Sequence, residues 1–321
     1  MCIRDRKGGK KYFVKMFKHV RYPLDSAPVS DEMKAKLRAN AEDFANRQKM
    51  INDRLKEKSA EGGNFIYALD FFRERQFYYK VNEKIDALSI TEMEVSALPH
   101  KEKLLIPLTL ASSLKLMHDA NVVHGDLKPT NVMLTKNSMG NYVTKLIDFD
   151  DGYISSEPPT DPVGDQVYYS PELAQYVLDK EKMPAKNLTI KSDIFSFGLM
   201  LHQYLTGVLP GYDDKFDYPW GQVLDGRELV VKESIFPGEL RFMISEMLSK
   251  DFEKRPSISL IRDQLKNIRL GISIKSEDDK KTSSPKPVSG GFKLKPMKGF
   301  KKMKTEPKVS PSIKIKPMKK K

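Results

Sequence analysis

The chain holds one cysteine, Cys2, in 321 residues. That excludes an internal disulfide framework and a zinc site built from several cysteines, and it suits a reducing, cytoplasmic setting. No apolar run reaches the ~20 residues of a membrane-spanning helix. The opening MCIRDRKGGKK lacks the apolar stretch of a signal peptide. Hydrophobic residues amount to only 39% while charged residues reach 31%, a deficit that predicts a segment outside any core. Arginine is missing from residues 271–321, which carry sixteen Lys against four acidic residues. Of the formal net charge of +13, +12 therefore sits in this tail, and residues 1–270 are near neutral.

The Lys, Pro, Ser and Gly content of 271–321 predicts a disordered tail, with a near-repeat, KLKPMK at 293–298 and KIKPMK at 314–319. Such a charge suits an electrostatic docking arm for an acidic partner, whether protein, nucleic acid or membrane surface; a solvated linker is the plain alternative. Upstream, KYFVKMF (11–17) reads as a strand after a Gly8-Gly9 turn. Residues 31–59 read as a long charged helix ended by Gly62-Gly63. NFIYALDFF and RQFYYKV read as a hairpin turning at 73–75. From about His100 the pattern becomes helical over 101–120. Two strand-like runs follow, VMLT and VTKLIDF, and helices are predicted again around 193–207, 238–249 and 257–269. A small β-rich part followed by a larger helical one predicts a two-lobed α+β fold.

HGDLKPTN, 124–131, carries the chemistry. Phosphoryl transfer from ATP needs a carboxylate for the acceptor hydroxyl, a cation near the transferring phosphate and oxygen ligands for Mg2+. Asp126, Lys128 and Asn131 supply these at the required spacing. LIDFD, 146–150, follows; a strand ending in Asp148 places a second metal ligand beside Asn131. His118 and Trp220 read as structural, and Tyr168-Tyr169 as packing for a loop.

These motifs resemble the eukaryotic-type protein kinase family, over roughly residues 7–270, with a small lobe to about 85 and a large lobe from about 86. GDQVYYSPE (164–172) resembles the end of the activation segment, and KSDIFSFG (191–198) the central helix. The resemblance implies that Lys15 holds the α- and β-phosphates, that Asp193 braces the catalytic loop and that Arg255 of DFEKRPS pairs with Glu172. It also implies ATP and Mg2+ as cofactors and a protein substrate, and Lys128-Pro129 resembles the serine/threonine version of the loop.

Five departures stand against that pattern. No Gly-rich loop precedes Lys15, so the small lobe reads as incomplete, the Lys15 strand as an exposed edge and the chain as a poor enzyme. Gly125 replaces the Arg of His-Arg-Asp, so activity is expected not to need a phosphorylated activation segment. Asp150 replaces the Gly of Asp-Phe-Gly, and Asp165 a Thr. The helix carboxylate expected to pair with Lys15 is open between Glu42, Asp43 and Asp53. His-Gly-Asp also occurs in small-molecule kinases of the aminoglycoside or choline type, and a pseudokinase scaffold is the third reading.

Overall fold

The computed structural model describes residues 2–4, 11–60 and 65–272, the first of these by backbone alone. The Gly8-Gly9 turn, the Gly62-Gly63 stop and the tail from 273 with its repeat lie outside the described residues.

Strand β1 (Cys2–Arg4) pairs with β2 (Lys11–Arg21). After α1 (Asp31–Ser59) come β3 (Asp70–Glu74) and β4 (Phe77–Glu83), and the antiparallel sheet runs β1-β2-β4-β3. The Lys15 strand thus lies inside the sheet. The exposed edge expected there is corrected over Lys11–Phe13, where Cys2–Arg4, three residues without a readable pattern, pairs with it. The aromatic and β-branched run of β2 suits such a half-buried position. The hairpin turn falls at Arg75, which takes a left-handed φ of 55°, so β3 begins at Asp70 and not at Asn64. The residues before it bind elsewhere: the Ile66 N–H donates to Leu146 O at 3.0 Å and the Leu69 N–H to Val81 O at 2.8 Å.

Helix α1 starts where the Ser30 hydroxyl accepts the Met33 N–H at 3.2 Å, with Asp31 and Glu32 favourably placed in the first turn. Its buried residues, Ala41, Phe44, Gln48, Ile51 and Leu55, recur at helical spacing. Phe44 packs with Phe17 and Tyr78 under the sheet, while Ile51 and Leu55 join the core of the large lobe. One helix face is therefore shared by both lobes.

The large lobe contains α2 (Glu92–Ser96), α3 (His100–Lys103), α4 (Leu105–Asp119), β5 (Val122–Val123), β6 (Val132–Lys136), β7 (Tyr142–Leu146) and β8 (Tyr153–Ile154). It continues with α5 (Pro171–Leu178), α6 (Ile190–Thr206), α7 (Pro219–Leu224), α8 (Gly238–Met247) and α9 (Ile258–Leu270). Helix α6 is buried on every side from Ser192 to His202, as an apolar helix must be at the centre of a lobe. The β6–β7 hairpin carries the two motifs together, and the Ile147 N–H donates to Asn131 O at 3.1 Å. The polar stretch 150–165 contains β8, which pairs with β5; two residues are too few for alternation to announce. The mixed α+β, two-lobed architecture is as expected. Among the described residues no helix is long and apolar enough to cross a membrane.

Candidate active site

The loop after β5 is held from beneath by α6. Asp193, 2% exposed, accepts the His124 N–H at 2.9 Å and the Gly125 N–H at 3.3 Å, and its carboxylate lies 3.0 Å from His118 Nε2. His118 is thus a structural partner inside the lobe. Gly125 adopts φ +78°, and a Cβ there would overlap the Asp151 carbonyl oxygen. The missing Arg of His-Arg-Asp therefore has a steric cause, because the backbone of residue 151 occupies the space that a side chain needs.

Beyond this brace the loop turns Asp126 outward. One oxygen accepts the Asp165 N–H at 2.7 Å; the other accepts Asn131 Nδ2 at 2.9 Å and lies 2.9 Å from Lys128 Nζ. Asn131 Nδ2 also donates to the Asp126 carbonyl at 2.8 Å, which leaves its Oδ1 unspent on this loop. Lys128 reaches Asp165 at 3.6 Å. Asp165 therefore touches both Asp126 and Lys128. Burial pulls the Lys128 ammonium down, but Asp126 and Asp165 together outweigh that and raise it.

The activation segment is anchored by Glu172 and Arg255, 2% and 1% exposed. Two parallel bonds of 2.7 Å join them, and Ser192 Oγ donates to Glu172 at 3.0 Å. A bidentate pair with its remaining donors bonded is the geometry that a buried ion pair needs. Tyr168 donates to Gln203 Oε1 at 2.8 Å. Trp220 donates to the Gln166 carbonyl at 2.8 Å and stacks on Tyr218.

Across the cleft, Lys15 lies 2.8 Å from Asp148 Oδ1 and 3.0 Å from Oδ2, and is also paired with Asp150. Asp148 takes a left-handed φ of 60°, a conformation that Asp tolerates better than most residues and that recurs at functional sites. Burial would raise the Asp148 carboxyl, but its contacts with Asp150 and Lys15 win and bring it to about 2. The three helix carboxylates weighed for Lys15 all face solvent, and Glu42 is taken by the Tyr22 hydroxyl at 3.4 Å. What α1 sends toward the site is Gln48, whose Nε2 donates to the Asp150 carbonyl at 2.7 Å. Gln48 escaped notice because only acidic residues suggest themselves for that place.

A cavity of about 360 Å³ opens beside Lys15 and Asp148. Ile66, Ile85, Met133 and Ile147 give it apolar walls, and Asn82, Glu83 and Lys84 line the inter-lobe connection. Strand alternation identified none of these walls, because they come from four separate segments. Of the five residues singled out in the sequence, Lys15 and Asp148 line this cavity and bond each other, while Asp126, Lys128 and Asn131 form a second bonded group on the loop after β5.

Residues 31–265 match the protein kinase domain. The chain is 28% identical to the serine/threonine-protein kinase PSK2 of Saccharomyces cerevisiae over 62% of its own length and 17% of the relative's. It is 25% identical to the serine/threonine-protein kinase STY46 of Arabidopsis thaliana, covering 56% and 29%. It is 31% identical to the membrane-associated tyrosine- and threonine-specific cdc2-inhibitory kinase wee-1.3 of Caenorhabditis briggsae, covering 53% and 24%. It thus spans less than a third of each of these relatives. Family members use ATP with a divalent metal. With the Asp126 loop, the braced Asp193 and the Glu172–Arg255 pair in place, the chain belongs to the protein kinase domain family.

Proposed function

We propose that this domain transfers the γ-phosphoryl group of ATP to a serine or threonine hydroxyl of a protein, with Mg2+ as the metal. The observation that carries this reading is that Asn131 and Lys128 both meet Asp126 Oδ2, each at 2.9 Å, while Lys15 and Asp148 meet at 2.8 Å on the wall of the cavity. The acceptor oxygen attacks the γ-phosphorus, the bond from that phosphorus to the β–γ bridging oxygen breaks, and ADP leaves. Asp126 orients the hydroxyl and receives its proton, while Lys128 faces the charge of the phosphoryl group in flight. Lys15 holds the α- and β-phosphates.

Among the described residues no three His, Cys, Asp or Glu side chains form a metal cage. Asn131 Oδ1 and the Asp148 carboxylate are two hard oxygen donors, which suits an ion that takes its remaining ligands from phosphate and water. Bound there, the metal would neutralise phosphate charge. The contacts of Asp165 with Asp126 and Lys128 favour a competent catalytic loop over a scaffold. The Glu172–Arg255 pair favours a protein acceptor over a small molecule. The single cysteine supports a cytoplasmic setting, and the +12 of residues 271–321 supports an acidic partner.

Asp126→Asn is expected to lower turnover at least about a hundredfold while Mg·ATP binding changes little. Asp148→Asn is expected to weaken the metal-dependent binding itself. Turnover within a few-fold of the parent in Asp126→Asn would make the role given to Asp126 wrong.

A further inference from the structure

Lys15 and Lys80 are direct cross-strand partners in the β2–β4 ladder, so their side chains leave the sheet on the same face. Two like charges at opposed positions destabilise a sheet, and Lys80 is also buried, at 8% exposure. Asp148 answers Lys15 alone, at 2.8 and 3.0 Å, whereas one group answers both lysines. Asp150, likewise 8% exposed, pairs with Lys80 through one carboxylate oxygen and with Lys15 through the other. Both ammonium groups also sit over the Phe17 ring, at 5.8 and 5.9 Å from its centroid. The Asp150 backbone is fixed in turn by Gln48 of α1. No acidic side chain of α1 takes part.

We propose that Asp150 is the counter-ion that positions Lys15 for the nucleotide phosphates, with Lys80 as the third member of the unit, so that this segment supplies the carboxylate that a kinase helix is expected to bring. The inference rests on the nucleotide reading of the cleft given above. Its physical content is that a lysine with four rotatable bonds needs a fixed anion to hold its head in one place. A buried anion shared by two lysines does so for both heads at once. Asp150 and Lys80 act through Lys15 and are positioning residues. The arrangement also ties α1 to the phosphate site through the Gln48–Asp150 bond, so helix placement is read by the metal-binding segment.

The test uses the 321-residue chain and two probes, Mg·ADP and adenosine, with binding measured by calorimetry. Adenosine occupies the apolar walls and carries no phosphate. Asp150→Asn is expected to weaken Mg·ADP about tenfold or more and to leave adenosine nearly unchanged, a split that a loosened fold would not produce. Gln48→Glu added to Asp150→Gly returns a carboxylate to the helix side and is expected to restore most of the lost Mg·ADP affinity. If Asp150→Asn fails to fold, Gln48→Glu in the same chain is expected to recover both the unfolding transition and the preference for ADP. Unchanged Mg·ADP affinity in Asp150→Asn overturns the proposal, as does loss that Gln48→Glu does not repair. If the parent binds Mg·ADP and adenosine equally weakly, the nucleotide reading fails with it. If the parent prefers ADP and Asp150→Asn keeps that preference, the nucleotide reading stands and only the role of Asp150 falls.

Discussion

On the large-lobe wall of the cleft, acidic groups are held by backbone: Asp193 receives two main-chain N–H groups and Asp126 a third. On the small-lobe wall, Lys15, Lys80 and Asp150 are held by one another and by Asp148, with Gln48 tying Asp150 to the helix. The difference lies in where the positional information is stored. Backbone donors are fixed by local chain geometry, so a short contiguous motif suffices to place an acid. A side-chain cluster depends on strand register and on the meeting of three segments far apart in sequence. Side-chain clusters also cost more entropy to order, and their charges are worth more or less according to how well each is paired.

The sharpest way to break the comparison is to attack the frame beneath the backbone-anchored wall. Arg255→Ala would leave Glu172 buried and uncompensated, together with Ser192, which donates to it. Loss of one partner of a buried pair costs about 3–5 kcal/mol, a large share of a domain's net stability. Urea unfolding of the two chains should show a drop of that size with the slope unchanged. A loss below about 1 kcal/mol would mean that the pair behaves like a surface bridge, and that the large-lobe wall does not depend on it.

A smaller effect is expected at Gly125, where the two walls meet. The left-handed backbone penalises any side chain by about 1–2 kcal/mol, and the Asp151 carbonyl must also move aside for a Cβ. Gly125→Ala should therefore destabilise the domain by about 2 kcal/mol, and Gly125→Arg, which returns the family's residue, should do no better. If Gly125→Arg were stabilising, the loop would have freedom that its hydrogen bonds to Asp193 do not suggest.

These contrasts account for what was legible in the sequence. The catalytic loop, Asp148, Asp193 and the Glu172–Arg255 partners stood in contiguous motifs whose order fixed their neighbours. The helix 31–59 was legible because Phe44, Ile51 and Leu55 repeat at its period. The partner of Lys15 was not, because the polarity of that contact is reversed. The helix presents Gln48, an unremarkable amide, and the anion comes from Asp150, which read only as a lost glycine. Lys80 gave no signal either, since its meaning depends on standing opposite Lys15 in the ladder. Strands as short as Cys2–Arg4 and Tyr153–Ile154 carry too few residues for a period to appear.

The smallest expected effect separates the frame from the cleft. His202 is fully buried in α6, and both of its ring nitrogens meet backbone. Nδ1 lies 2.8 Å from the Val208 carbonyl, and Nε2 accepts the Lys232 N–H at 3.1 Å. That arrangement needs the neutral ring with its proton on Nδ1. Burial lowers the ring's pKa; the Val208 carbonyl opposes the shift and the Lys232 charge adds to it. The folded value therefore lies below the unfolded value of about 6.5, and the unfolded chain binds the proton first as pH falls. The stabilisation is complete above about pH 6.5 and is lost as pH falls toward and through the folded value, with a slope of at most about 1.4 kcal/mol per pH unit. His202→Gln should be the less stable chain at pH 8, and its deficit against the parent should shrink between pH 6.5 and 5. Other titrating groups are common to both chains and cancel in that difference. Because His202 touches no residue of the cleft, Mg·ADP affinity at pH 8 should be the same in both. A deficit constant across pH would show that the ring serves as packing alone; a change in nucleotide affinity would show that the backbone-anchored wall extends further through α6 than the bonds of Asp193 imply.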